Sequence, residues 1–222
     1  LLNPATGDDL NASFTFTDVD NDAESSPHIK WFKDDTEQNV LGNLSSVGAG
    51  NTSKGQVWKF SVIPNDGEDL GIEVTSSTVT IGSTIPTVTV PTFNDSVPKA
   101  EEDISVTSTF SDVDGDPGNV TFTWRVDNLV VKNDSRFQVS SGNVASSNLS
   151  STNYSKGDTI NVSVIGVEDG LASLEQVSAT ITVDNTIPTI TTPILNNTSP
   201  TDGTDLLGSV TYQDIDNDNG SI

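Results

Sequence analysis

The chain has no cysteine, one histidine and only nine basic residues against 32 acidic ones. Without cysteine there are no disulfides and no thiolate chemistry, and a zinc site would have to be built from carboxylates and His28. One histidine also removes most general-base machinery, and His28 at the start of a strand-like stretch reads as an ordinary surface residue. No Gly-x-Ser-x-Gly elbow, phosphate loop or Gly-x-Gly-x-x-Gly run is present. Carboxylates are plentiful, but they gather in repeated loops and not in one cleft, so the expectation is a protein that is not an enzyme. A net charge of −23 repels nucleic acid and anionic lipid and suits divalent cations or a high-salt medium. No apolar run is long enough to span a membrane, no signal peptide opens the chain, and no long segment has helical periodicity.

What the chain does have is repetition. Three acidic stretches, Asp18-Val-Asp-Asn-Asp22, Asp112-Val-Asp-Gly-Asp116 and Asp214-Ile-Asp-Asn-Asp218, each follow a run of alternating character. Those runs are Leu10 to Thr17, Ile104 to Ser111 and Leu206 to Gln213. Spacings of 94 (18 to 112) and 102 (112 to 214) match the length of one β-sandwich. The sequence therefore predicts an all-β chain of tandem immunoglobulin-like sandwiches in a linear array. Repeat 1 spans 1–84, repeat 2 spans 85–186, and 187–222 holds the first strands of a third. Such a chain reads as a window on a longer polypeptide or a processed piece of one.

In repeat 1, Leu10, Ala12, Phe14 and Phe16 fall on one face, and Ile29 to Lys33 forms a strand centred on Trp31. Trp58, Phe60 and Val62 alternate inward, Pro64-Asn-Asp-Gly67 turns, and Val74 to Ile81 closes the sheet. Repeat 2 retraces this path with Ile104, Val106, Ser108 and Phe110, then Phe122, Trp124 and Val126, then Ile160, Val162 and Val164. Its extra length lies between Val126 and Ser151, as an added edge hairpin or a longer loop. The joints Ser83-Thr-Ile-Pro86 and Asn185-Thr-Ile-Pro188 are offset by 102, and their proline restricts bending. Trp31 and Trp124 are expected in the core rather than as sugar-stacking platforms.

Sandwich strands, Asp-x-Asp-x-Asp, central Trp, Asn-Asp-Gly turn and Thr-Ile-Pro joint together resemble immunoglobulin-like repeats of prokaryotic surface proteins. The neighbouring PKD and cadherin-like repeats of adhesins, S-layer proteins and extracellular filaments look similar. The resemblance covers essentially the whole chain. It implies an extracellular or cell-surface structural segment whose partners are copies of itself, further repeats of the same chain, or surface-layer contacts. The alternative is a carbohydrate- or ligand-binding module appended to a secreted hydrolase.

Aspartates at alternate positions of an extended loop project to one side and can converge on a hard cation. Asp18, Asp20 and Asp22, Asp112, Asp114 and Asp116, and Asp214, Asp216 and Asp218 are thus candidate calcium ligands. Asp66 and Asp169 join them if the two loops at one end of each sandwich meet. The loop is not an EF-hand, because Ala23 holds position six of the first copy and Ile29 or Thr123 holds position twelve. The simpler reading is that these aspartates make turns and keep the loop soluble.

Twelve of the 20 asparagines lie in Asn-x-Ser/Thr sequons, where composition alone gives roughly five. They are Asn11, Asn43, Asn51, Asn94, Asn119, Asn133, Asn148, Asn153, Asn161, Asn196, Asn197 and Asn219. Asn11 and Asn161 are expected to point outward from strands and the rest to sit in loops, which suits N-linked glycans. An acidic, cysteine-free, sequon-dense chain resembles an archaeal surface protein. Unpaired terminal strands, if the chain is a complete subunit, invite completion by a neighbouring molecule.

Overall fold

The computed structural model describes residues 3–218 and divides them into two compact units. Of these, unit 1 holds 3–85 together with the loop 112–116, and unit 2 holds 86–111 and 117–218. The fold is all-β, with immunoglobulin-like sandwiches in tandem. None of the helices among the described residues is long and apolar enough to cross a membrane.

In unit 1, β1 (Leu10–Asn11), β2 (His28–Lys33), β3 (Thr36–Glu37), β4 (Ser46–Val47), β5 (Val57–Ile63), β6 (Val74–Thr75) and β7 (Val79–Thr80) form two sheets. One sheet is the pair β1–β4, and the other runs β3-β2-β5-β6 with β7 also on β5. Leu10, Ile29, Trp31, Val47, Trp58, Val62 and Ile81 fill the space between them. The first strand is shorter than the alternation predicts. Phe14 and Phe16 do keep their inward, half-buried positions, but the ladder stops after Asn11 and one further bond from the Ala12 N–H to Ser45. The alternation is strand-like, but a ladder also needs a partner segment at hydrogen-bonding distance. Residues 13–17 make no backbone hydrogen bond to any described residue.

Unit 2 opens with β8 (Thr87–Val88) and β9 (Thr92–Phe93), which lie on β10 (Ile104–Ser111). It continues with β11 (Gly118–Val126), β12 (Leu129–Val139), β13 (Val144–Leu149) and β14 (Thr159–Glu168). Three short strands, β15 (Leu171–Ala172), β16 (Gln176–Val177) and β17 (Ile181–Thr182), follow along β14. One sheet is therefore β8/β9-β10-β13 and the other β12-β11-β14-β15/β16/β17. Along β11 every second residue is buried, so Val120, Phe122, Trp124 and Val126 meet Ile104, Val106 and Phe110 across the sandwich.

The extra length of repeat 2 adds no new hairpin. It lengthens the strand that β3 represents in unit 1 to the eleven residues of β12. The turns before both are alike, with Asp34 and Asp35 at φ 47° and 61°, and Asp127 and Asn128 at φ 48° and 67°. Short polar side chains tolerate this left-handed backbone, and it matches the twist of a two-residue hairpin.

The closing strand of each sandwich is broken, in unit 1 where the sequence predicts one run from Val74 to Ile81. The Ser76 and Ser178 hydroxyls accept the N–H groups of Phe60 and Val162, and the Ser173 hydroxyl accepts that of Gly166. Serine oxygens thus replace carbonyls that the breaks remove from the ladder. Gly118 permits the closest approach in the core, since a Cβ there would lie 2.4 Å from the Phe110 ring.

The third-repeat segment, also in unit 2, is two short ladders. β18 (Thr189–Ile190) pairs with β21 (Tyr212–Gln213), and β19 (Ile194–Leu195) pairs with β20 (Gly208–Ser209). Its apolar side chains are exposed, with Ile190 at 62% and Leu195 at 54%.

Candidate functional site: acidic loops and strand joints

The three acidic loops share one backbone design. In the second, the Asp112 Oδ1 accepts the N–H groups of Asp114 (2.9 Å) and Asp116 (3.3 Å). In the first, Asp18 Oδ1 accepts those of Asp20 (2.7 Å) and Asp22 (3.3 Å), and in the third Asp214 accepts that of Asp216 (2.8 Å). The fourth residue is left-handed each time: Asn21, Gly115 and Asn217. The first aspartate of each triplet therefore folds its own loop.

The second aspartate reaches out. In unit 1, Asp114 Oδ2 accepts the N–H of Thr84 (2.7 Å) and its hydroxyl (2.8 Å). Burial works to raise the Asp114 pKa, but the two hydrogen bonds from Thr84 oppose it and the carboxyl stays below its ordinary value. In unit 2, Asp216 Oδ2 likewise accepts the N–H of Thr186.

The third aspartate meets a lysine. Lys54 Nζ lies 2.7 Å from Asp116, and Lys156 pairs with Asp218. The hydrogen bond to Asp218 is the main reason that the Lys156 pKa is raised. Thr84–Asp114 and Thr186–Asp216 are both 30 residues apart, while Lys54–Asp116 and Lys156–Asp218 are both 62 apart. One joint has been built twice. The sequence carries a signal for it, because Lys54-Gly55 and Lys156-Gly157 repeat at the same offset of 102 as the aspartates and joints.

These contacts bear on the calcium expectation. Among the described residues, Asp214, Asp216 and Asp218 are the group of three acidic side chains whose ligand atoms lie within 4.8 Å of one another. Asp216 Oδ1 is buried there without a hydrogen-bond partner, as is Asp114 Oδ1 in the second loop, and such an oxygen fits a cation ligand. Tyr212, on the strand that leads into this loop, donates its hydroxyl to Asp214 at 3.0 Å. The second loop makes the same contacts, to Thr84 and Lys54, yet among the described residues its carboxylates form no such group, and in the first loop Asp20 and Asp22 are exposed. The Ser25 N–H donates to Asn65 O (2.8 Å), so the two loops at that end of the sandwich do meet. Asp66, however, accepts the N–H groups of Glu68 and Asp69 in its own turn, and Asp169 sits at φ 46° in the turn after β14. Neither belongs to the three-carboxylate group.

Eleven sequon asparagines are described, and Asn219 lies outside the described residues. Asn11, Asn43, Asn51, Asn94, Asn133, Asn148, Asn153 and Asn196 are exposed, while Asn119, Asn161 and Asn197 are half-buried. Asn119, Asn133 and Asn148 stand on strands rather than in the predicted loops. The hydroxyl residue of the Asn161 sequon, Ser163, is 2% exposed and is bonded by Arg125 (2.9 Å).

A polar cluster that the sequence did not announce ties β12 to the core. The Trp124 indole N–H donates to Ser147 (2.8 Å), Ser147 donates to Asp134 (2.7 Å), and Arg136 and Lys132 pair with Asp134. Burial pushes the Asp134 pKa up, but its hydrogen bonds with Arg136, Ser147 and Lys132 win and hold it at about 2.

No protein-family model matches the chain, and no curated protein matches it. Several solved structures are similar. The fibronectin(III)-like modules of Clostridium thermocellum CbhA are 21% identical, with 82% of this chain and 88% of that one covered at a TM-score of 0.33. The chicken interferon gamma receptor alpha chain is 14% identical over 79% and 91%, at 0.46. A two-domain fibronectin type III segment of chicken tenascin is 10% identical over 75% and 87%, at 0.39. Identities and scores this low leave the fold assignment resting on the strand order itself.

Proposed function

We propose that this chain is a structural segment of an extracellular filament, surface layer or adhesin stalk built from glycosylated immunoglobulin-like repeats. Modules of this class are commonly structural or binding domains of extracellular proteins. The observation that carries the finer reading is the joint built twice at constant offsets, with Thr84 and Lys54 answered by Asp114 and Asp116, and Thr186 and Lys156 by Asp216 and Asp218. A device repeated in register suits a chain whose task is to set geometry from one repeat to the next. The buried Trp31, Trp58 and Trp124 are unavailable as sugar platforms, which weighs against the binding-module reading.

Calcium belongs to this proposal at the third loop, where Asp214, Asp216 and Asp218 would hold it. It would neutralise their mutual repulsion and supply a multi-oxygen cross-link. The exposed sequons suit N-linked glycans that shield sheet edges. Electron microscopy of the native material tests the whole reading. Long fibres with density branching from sequon asparagines are expected, and isolated particles with bare asparagines overturn it. Titration calorimetry with calcium should give heat that Asp216→Asn abolishes.

A further inference from the structure

The sandwich of unit 2 has one open side. Strand β12 pairs with β11 alone and β13 with β10 alone, so among the described residues each is the last strand of its sheet. The two strands meet there, where the Lys132 ammonium donates to the Asn148 carbonyl and the Ser147 hydroxyl donates to Asp134. A strand edge with unpaired backbone groups invites pairing by another chain, the more so where apolar side chains border it. Leu129 and Phe137 on β12 are 72% and 74% exposed, and Val144 on β13 is 63% exposed. Register shifts near both ends of β12 leave Lys132 to Arg136 as its regular stretch of ladder.

Four sequon asparagines of unit 2 stand on strands, and the fold sorts them into two pairs. Asn119 and Asn161 lie on β11 and β14, which have neighbours on both sides. Both are half-buried, the Asn119 Oδ1 accepts the Gln138 N–H (3.2 Å), and the Ser163 hydroxyl of the Asn161 sequon is bonded by Arg125. Asn133 and Asn148 lie on the two edge strands, opposite Thr123 and Ser105. Since Phe122 and Trp124 point into the core, as do Ile104 and Val106, these two asparagines face outward. Both are exposed, and neither side chain has a hydrogen-bond partner among the described residues.

We propose that Asn133 and Asn148 are the strand sequons of unit 2 that carry sugar, and that their glycans bar a second chain from pairing with β12 or β13. In the transfer, the side-chain amide nitrogen bonds the anomeric carbon of a phosphate-linked oligosaccharide, the C1–O bond to the phosphate breaks, and the amide gives up one proton. On a folded chain these two sites are the ones within reach, because an edge strand peels back by giving up one ladder and a central strand must give up two. On an unfolded chain the same two are favoured, since folding leaves room for a bulky polar group at an exposed outward position and not at a half-buried one. One glycan rises from the outer face of each sheet, so the pair flanks the seam between β12 and β13. The proposal rests on the glycosylated reading of the chain and names the sites and their task.

The test begins with glycopeptide mass spectrometry of the native material. Occupancy at Asn133 and Asn148 should exceed that at Asn119 and Asn161 at least about tenfold. The full chain with both Asn133→Gln and Asn148→Gln, made in the same cells, is then compared with the unaltered chain by sedimentation. The altered chain should self-associate at least about tenfold more tightly, and Phe137→Lys added to it should reverse the gain. Both glutamines replace exposed side chains without hydrogen bonds, so an unchanged circular dichroism spectrum is expected alongside. Sugar on Asn119 or Asn161 at equal occupancy overturns the proposal and leaves the glycosylated reading standing. So does an altered chain that associates no more than the unaltered one, or whose association ignores Phe137→Lys. A native chain bare at every sequon overturns both.

Discussion

The sandwiches of the two units start from the same pattern and reach different degrees of closure. Among the described residues, that of unit 2 buries sixteen apolar residues in one cluster, and that of unit 1 buries seven. Equivalent positions show where the difference arises. Val162 is fully buried, whereas Phe60, at the same place on the strand, is half-buried. In unit 2 one sandwich edge is covered by β8 and β9 and the other by the long β12. Among the described residues, unit 1 has the two residues of β3 at one edge and a cleft beside Leu10 at the other. Alternating side chains place residues inward, but a residue is buried only when its neighbours on both sides are present.

Breaking each core at its tryptophan gives the largest expected contrast. Trp124→Ala removes a fully buried indole and its bond to Ser147, and should destabilise unit 2 by about 3–5 kcal/mol. Trp31→Ala, beside a cleft already open, should cost unit 1 clearly less. Denaturant unfolding followed by near-ultraviolet circular dichroism measures both.

Acid sharpens the comparison next. Asp134 has its folded pKa held at about 2, below its unfolded value, so its contribution is present above about pH 4 and is lost as pH falls toward 2. Unit 2 should lose stability across that window, and Asp134→Asn should remove this component while costing about 2 kcal/mol at neutral pH. Thermal melts at stepped pH values check the sign.

The smallest effect concerns the joints. Lys54→Gln and Lys156→Gln break ion pairs that are partly solvent-exposed, so each should change stability by less than about 1 kcal/mol. The loss should be equal at the two joints and visible as faster amide exchange at Thr84 and Thr186.

The order of strands, the inward tryptophans and the turns were legible in the sequence, because alternation and Asp, Asn or Gly at left-handed positions are local properties. Repetition at offsets of 94 and 102 placed the joints and the acidic loops before any contact was seen. What each aspartate does was not legible, since spacing alone treats the three carboxylates of a triplet alike. Only folding separates Asp112, which caps its loop, from Asp114, which grips Thr84, and Asp116, which meets Lys54 across 62 residues. The same limit applies to the strand at Leu10 to Thr17. Its sequence determined which side chains face inward, but a strand is a relation between two segments, and only the tertiary structure shows the ladder with Ser46 and Val47 ending at Leu10 and Asn11.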